Sequence, residues 1–143
     1  MLYLPDANIL IYSKMSGMPE HKAAIKWLNR ALGDASSTLV VCETTLLAFL
    51  RITTNRKVFT PPLSIAEARG FVTGLLADPK VQFFRPTPGH FGDVADLMKK
   101  HSLNGNLTMD AHLAAIALAT GATIVTRDAD FKRIPYLKVI EPC

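Results

Sequence analysis

The chain has little cysteine and no long apolar run, and each of these absences excludes a class of protein. Its two cysteines, Cys42 and Cys143, form no CxxC motif and are too few for a disulfide scaffold, so a reducing cytoplasm is the expected location. No apolar run approaches the ~20 residues that span a bilayer. With 143 residues, 49% of them hydrophobic, and no internal repeat, residues 1–143 are expected to form one globular domain.

The sequence also lacks the short motifs of several enzyme classes. It contains no GxGxxG or Walker pattern, its four histidines lack HExxH spacing, and no serine lies in a GxSxG context. These absences disfavour a nucleotide-binding loop, a metalloprotease site and a serine nucleophile. The formal net charge of +4 permits an anionic partner such as nucleic acid without requiring one.

What the sequence does have is an alternation of apolar strands and amphipathic helices. Ser64 and Glu67 form a capping box at one helix start, Thr108 is expected to cap the last helix, and Gly121 to end it. Strands separated by helices imply β-α crossovers, so the sequence predicts an α/β fold with a mainly parallel five-stranded sheet flanked by helices. The expected strands are 1–5, 37–42, 81–86, 122–126 and 137–140, and the expected helices are 6–14, 19–32, 43–54, 64–77, 91–101 and 108–120.

Five of the 12 acidic residues fall where this fold would bring them together. Asp6 and Glu43 directly follow the first and second strands, Asp128 and Asp130 follow the fourth, and Asp110 lies in the first turn of the helix before it. Singly, each is a common helix cap or turn residue. Parallel strands, however, deliver their carboxyl ends to one edge of a sheet, where such folds bind ligands, so the five carboxylates are expected to converge.

A group of carboxylates this close would raise one another's pKa, and a hard divalent cation removes that problem. Asn8 and Thr126 could add oxygen ligands or orient water, although turn and cap hydrogen bonds explain both residues equally well. A cation in such a site stabilises charge on a phosphoryl oxygen, which suits phosphodiester hydrolysis. Arginines could contact substrate phosphates around the acidic centre, namely Arg51, Arg56 and Arg127.

Several segments resemble one known family. The segments "PDANILIY", "CETTLLAFLRITTN" and "NLTMDAHLAAIALATGATIVTRDADF", with the closing "KVIEP", are similar to the PIN-domain ribonucleases, specifically the VapC toxins of bacterial VapBC toxin–antitoxin systems. The similarity covers essentially the whole chain. Each motif is weak alone, but four in the family's order are a strong signal.

The resemblance implies a Mg²⁺- or Mn²⁺-dependent endoribonuclease that acts on structured RNA such as tRNA or rRNA. It implies that Asp6, Glu43, Asp110 and Asp128 form the catalytic quartet, with Asp6, Asp110 and Asp128 as metal ligands. Asp130 matches a further acidic position of variable role. The resemblance also implies a homodimer and a cognate VapB antitoxin as partner.

Two other readings remain open from the residues. A haloacid-dehalogenase-like phosphatase needs DxD after the first strand, where this chain has Asp6 and Asn8, and a receiver domain needs an acidic pair there. The alternative to an enzyme is a catalytically silent PIN module that acts by binding its partner. An RNA cleavage assay with and without EDTA separates that alternative from the ribonuclease.

Overall fold

A computed structural model of the chain describes residues 1–142 and has the alternating strands and helices that the sequence predicts. No helix in this range is long and apolar enough to cross a membrane. The strands are β1 (Leu2–Pro5), β2 (Thr38–Cys42), β3 (Val81–Phe84), β4 (Thr123–Val125) and β5 (Val139–Ile140), and the helices are α1 (Ala7–Lys14), α2 (His21–Gly33), α3 (Glu43–Thr53), α4 (Ile65–Ala77), α5 (Gly89–His101) and α6 (Thr108–Thr120).

The strands form one parallel sheet in the order β3-β2-β1-β4-β5, which confirms the predicted α/β fold. The central strand β1 pairs with β2 on one side, Tyr3 opposite Leu39, and with β4 on the other, Leu4 opposite Ile124. The chain therefore winds outward from β1 in one direction through β2 and β3, and in the opposite direction through β4 and β5. The crevice between the carboxyl ends of β1 and β4 is the switch point where open α/β sheets bind ligands.

Helices cover both faces of the sheet, and neighbouring residues of β2 illustrate how. Val40 packs against α6 residues such as Ile116, whereas the next residue, Val41, packs against Phe49 of α3 and Leu75 of α4. Successive strand residues point to opposite faces, so a strand buried on both faces is an unbroken apolar run. This double burial fixes the sheet, and with it the positions of the residues that follow each strand.

Of the three residues or pairs predicted to cap or end a helix, two are confirmed and one is wrong. Ser64 and Glu67 form the reciprocal capping box of α4, and Gly121 ends α6 with a φ of 76°, a left-handed conformation that glycine adopts without strain. Thr108 does not cap α6. A 3₁₀ turn at Gly105–Leu107 runs directly into the helix, so the Thr108 hydroxyl donates back to the Gly105 carbonyl at 2.7 Å instead.

Candidate metal centre

Asp6 lies at the switch point and is fixed there from three directions. Its N–H donates to the Val125 carbonyl at 2.9 Å, which extends the pairing of β1 with β4 by one residue. Its Oδ1 accepts from the Ala7 N–H at 2.7 Å, so Asp6 is the N-cap of α1. Its Oδ2 accepts from the Thr126 hydroxyl at 2.8 Å. The Asp6 carboxylate therefore both caps α1 and belongs to the candidate site.

Thr126 is fully buried and connects Asp6 to the other side of the crevice. Besides donating to Asp6, its hydroxyl oxygen accepts from the Asp128 N–H at 3.0 Å and from Asn8 Nδ2 at 3.4 Å. Asn8 Oδ1 is buried and has no hydrogen-bond partner among residues 1–142. A buried acceptor without a donor is costly, so this oxygen suits a water molecule or a cation.

Three carboxylates face one another at the mouth of β4. Carboxylate oxygens of Asp110, Asp128 and Asp130 all lie within 4.8 Å of one another, close enough to share a cation. Asp128 caps the 3₁₀ turn Ala129–Arg133 by accepting from the Asp130 N–H at 2.9 Å. Asp130 also lies 3.7 Å from the Arg133 guanidinium. Asp130, expected to be auxiliary, therefore belongs to this group together with two of the expected ligands, Asp110 and Asp128, whereas the third, Asp6, does not.

The electrostatics agree with crowding of negative charge. Burial, followed by the charges of Asp128, Asp6 and Asp130, raises the pKa of Asp110 to about 6. Burial also raises the pKa of Asp6, against the opposing hydrogen bonds from Thr126 and Ala7, and Asp128 adds to the rise. A cation would reverse both effects, because it stabilises the ionised carboxylates.

Glu43 occupies the expected edge but not the three-carboxylate group. It is the first residue of α3, directly after β2, and its side chain is exposed. Glu43 follows β2 and Asp6 follows β1, and these two strands are neighbours in the sheet. Neighbouring strands are roughly 4.8 Å apart in the hydrogen-bonding direction.

A cavity of about 600 Å³ lies beside the acidic group. The three arginines expected to contact RNA differ in their position relative to this cavity. Arg51 lines it together with Asp6, Thr44 and Asp110. Arg127 is exposed between Thr126 and Asp128. Arg56 lies in the turn after α3, about 15 Å along that helix from Glu43 at 1.5 Å per residue, and does not line the cavity.

A hydrogen-bonded chain of side chains adjoins this cavity, and the sequence did not indicate it. His90 Nε2 lies 2.8 Å from His112 Nδ1, and His112 Nε2 lies 2.8 Å from the Thr44 hydroxyl. Burial lowers the pKa of both imidazoles, and that of His90 is lowered further by His112. His112 lies two residues after Asp110 on α6, a spacing at which two helical side chains do not face each other. His90 is the second residue of α5, six residues after the end of β3, so the search for residues directly after each strand does not identify it.

The fold and the site define an α/β domain with a carboxylate cluster at the switch point of a parallel sheet. Within that class, the PIN domain matches residues 3–136, so the chain belongs to the PIN domain family. It is 31% identical to Ribonuclease VapC33 of Mycobacterium tuberculosis over 141 residues, covering 99% of this chain and 98% of that protein. It is 36% identical to VapC ribonuclease Mb2897 of Mycobacterium bovis over 137 residues, covering 96% and 92%.

Solved structures share the fold at lower identity. VapC20 of Mycobacterium tuberculosis, described as a Sarcin-Ricin loop cleaving toxin, aligns with a TM-score of 0.73 and 14% identity over 96% of this chain and 98% of its own. VapBC2 of Rickettsia felis bound to a promoter DNA fragment aligns with a TM-score of 0.70 and 19% identity over 99% and 98%. VapBC of Salmonella typhimurium bound to DNA gives 0.67 and 20% over the whole of both chains.

Proposed function

We propose that the protein is a Mg²⁺- or Mn²⁺-dependent endoribonuclease, the toxin of a VapBC toxin–antitoxin system. The observation that carries the proposal is the group formed by Asp110, Asp128 and Asp130, with Asp6 electrostatically coupled to it, in a PIN-domain chain. Relatives named as VapC ribonucleases, 31% and 36% identical over nearly the whole chain, support the same activity.

The donor set fits a hard divalent cation. Carboxylate oxygens are the ligands that Mg²⁺ prefers, and Asp6, Asp110 and Asp128 would hold it, with Asp130 and the buried Asn8 oxygen beside them. When bound, the cation supplies positive charge that stabilises the negative charge developing on a phosphoryl oxygen. Glu43, exposed at the same edge of the sheet, would orient the attacking water, and Thr126 would keep Asp6 in place.

The substrate that we propose is structured RNA such as tRNA or rRNA. The protein carries a net charge of +4 although its candidate site is acidic, so basic groups lie elsewhere and are available to contact a polyanion. Arg51 is suited to this because it lines the cavity that Asp6 and Asp110 also line. Arg127 flanks Asp128 in the chain, and Arg56 would contact only a substrate that extends past the end of α3.

The proposed partners are a VapB-type antitoxin and a second copy of the chain, all in the cytoplasm. The neighbouring VapBC structures support an antitoxin partner by analogy of fold. Exposed apolar side chains on α3 and α4 support a dimer, because Leu47, Ile65 and Leu76 are 54%, 80% and 41% exposed. Such residues are more stable when another surface covers them.

RNA cleavage by the purified protein tests the proposal. We expect cleavage of total tRNA or rRNA with Mg²⁺ or Mn²⁺, and none in EDTA. Asp110→Asn should abolish it, whereas Asp96→Asn, the same change at an exposed site on α5, should not. Cleavage that persists in EDTA would exclude the metal-dependent mechanism. No cleavage, together with antitoxin binding, would favour a catalytically silent PIN module, and hydrolysis of small phosphate esters alone would favour another phosphohydrolase.

A further inference from the structure

The chain from His90 through His112 to Thr44 runs from a buried position to the wall of the cavity. His90 is 5% exposed and packs edge-on against Phe84 and Phe91. Its ring meets that of His112 at 76° with centroids 4.9 Å apart, and the two rings are joined by the 2.8 Å hydrogen bond. Thr44, at the other end, lines the cavity with Asp6, Asp110 and Arg51. The two imidazoles therefore fix the position of one hydroxyl group, that of Thr44.

The direction of this chain decides what Thr44 offers to the cavity. A neutral imidazole donates from one nitrogen and accepts at the other. If His90 Nε2–H donates to His112 Nδ1, then His112 Nε2–H donates to the Thr44 oxygen, and the Thr44 proton is free for another acceptor. In the reverse direction the Thr44 hydroxyl donates to His112 and presents only a lone pair. Among residues 1–142, the other hydrogen-bond partner of this hydroxyl is the sulfur of Cys42 at 3.4 Å, which is a weak acceptor.

We propose that Thr44 binds a phosphate oxygen of the RNA substrate in this cavity, and that the His90–His112 pair orients its hydroxyl proton toward that oxygen. The proposal rests on the proposed ribonuclease function for the identity of its ligand. An anionic phosphate needs donors, and this cavity already carries carboxylates that repel it. Arg51 supplies charge on the same wall, and Thr44 adds a donor of fixed direction. Thr44 is a substrate-contacting residue, and His112 and His90 are positioning residues.

The direction of the chain can be measured without substrate. Long-range ¹H–¹⁵N spectra of the imidazoles at neutral pH should give the Nε2–H tautomer for both His90 and His112, with His112→Gln and His90→Gln used to assign the signals. The Nδ1–H tautomer at His112 would mean that Thr44 donates to it, which would overturn the proposal. This readout does not depend on nuclease activity.

Matched variants test the contact to RNA. Thr44→Val keeps the shape and removes the hydroxyl, so KM for a short oligoribonucleotide should rise about tenfold or more while kcat changes less than about twofold, as for a lost hydrogen bond to a charged group. Thr44→Ser should lie closer to wild type. His112→Gln keeps a donor at the position of Nε2, whereas His112→Asn keeps only the δ position, so His112→Asn should resemble Thr44→Val more closely. Thr120→Val, at a half-buried hydroxyl at the other end of α6 from Asp110, is the control and should leave KM unchanged.

The outcomes separate this inference from the proposed function. Binding of a labelled oligoribonucleotide in EDTA, read by fluorescence anisotropy, should be weakened by Thr44→Val to the same extent as KM. If wild type binds RNA without cutting it and Thr44→Val binds less tightly, the contact stands and the nuclease assignment falls. If the variants lose melting temperature while KM and RNA affinity match wild type, the chain is only structural and the inference is wrong. It is equally wrong if wild type neither binds nor cleaves RNA.

Discussion

The Thr126 hydroxyl donates a 2.8 Å hydrogen bond to Asp6 Oδ2, joining two residues that are 120 positions apart in the chain. The bond spans the switch point, because Asp6 follows β1 and Thr126 follows β4. The same oxygen of Thr126 accepts from the Asp128 N–H at 3.0 Å. One buried hydroxyl therefore sets the relative positions of two expected metal ligands.

Removing this hydroxyl should reduce both stability and activity. Thr126→Val leaves the Asp128 N–H without its acceptor and Oδ2 of Asp6 without its donor, at a cost of about 1–3 kcal/mol. We expect a fall in melting temperature of about 3–8 °C and a loss of RNA cleavage, measured on the same preparation. The pKa of Asp6 should rise further, because the hydrogen bond from Thr126 lowers it.

Thr126→Ser is the matched control for that experiment. It keeps the hydroxyl and removes only a methyl group, so it should retain most of the stability lost in Thr126→Val. A serine variant as inactive and as unstable as the valine variant would assign the effect to packing of the methyl group instead of the hydrogen bond.

Charge-neutralising substitutions should silence the site and leave the fold intact. Asp6→Asn, Glu43→Gln, Asp110→Asn and Asp128→Asn each remove a charge but almost no volume, and each should nearly abolish RNA cleavage. Because the residues act as a unit, double variants should be scarcely worse than single ones. The measurement is single-turnover cleavage with circular dichroism as the check on folding. Full activity in Asp6→Asn would refute its assignment as a ligand.

Asp130 provides a comparison inside the same group. The Asp130 carboxylate also forms an ion pair with Arg133. The backbone N–H of Asp130 donates to Asp128, and this hydrogen bond is kept when the side chain is substituted. Asp130→Asn should therefore be milder than Asp128→Asn. A greater loss at Asp130 would mean that it, not Asp128, is the closer metal ligand.

The acidic site was predictable because it follows from topology, whereas its hydrogen bonding was not. Once the strands were recognised as parallel, the positions of Asp6, Asp110 and Asp128 at one edge followed. The role of Thr126 as the link between Asp6 and Asp128 depends on its rotamer and complete burial, which spacing cannot give. The same is true of the missing cap at Thr108, since it depends on the 3₁₀ turn that precedes α6.

The cavity and the residues beside it could not be predicted from the sequence. Thr44, His90 and His112 come from three different elements and meet only through the packing of α3, α5 and α6. Arginine positions were equally open, because charged side chains on a surface follow no period. Arg51 and Arg56 are five residues apart, yet only Arg51 lines the cavity.

A dimer through the apolar surface of α3 and α4 should dissociate when that surface is charged. Ile65 is 80% exposed at the start of α4 and lines an apolar groove of about 340 Å³ with Leu50 and Val72. Sedimentation velocity at micromolar concentration should give a dimer for wild type and a monomer for Ile65→Glu. Phe91→Glu, at a 69% exposed apolar residue on α5, should remain dimeric. A monomeric wild type would contradict the dimer, and dissociation by Phe91→Glu alone would move the interface to α5.

The contribution of Asp110 to the stability of the metal-free protein should fall as pH rises through the range where Asp110 ionises. The pKa of Asp110 is raised to about 6 in the folded state, mainly by burial and then by its acidic neighbours, against about 3.9 in an unfolded chain. The folded state therefore binds more protons between these values. The stability that Asp110 contributes is fully present below about pH 4, is lost progressively up to about pH 6, and stays absent at neutral pH. The difference between the thermal melts of wild type and Asp110→Asn in EDTA, from pH 4 to pH 7.5, measures this loss, because the lowered pKa values of His90 and His112 have the opposite effect on both proteins.

Asp110→Asn should remove that loss and, with it, part of the response to metal. In EDTA at neutral pH the variant should melt roughly 2–4 °C above wild type, a modest gain because Asp110 is partly exposed and solvent screens its repulsion. Mn²⁺ at a hundredfold excess over its dissociation constant should stabilise wild type by about 2.7 kcal/mol through binding linkage, and Asp110→Asn by less. Asp96→Asn, which changes the net charge equally at an exposed position, should change neither melt. If Asp110→Asn instead melts below wild type in EDTA and gains as much from Mn²⁺, then the carboxylates of Asp110, Asp128 and Asp130 are ordinary cap and turn residues that do not share a cation.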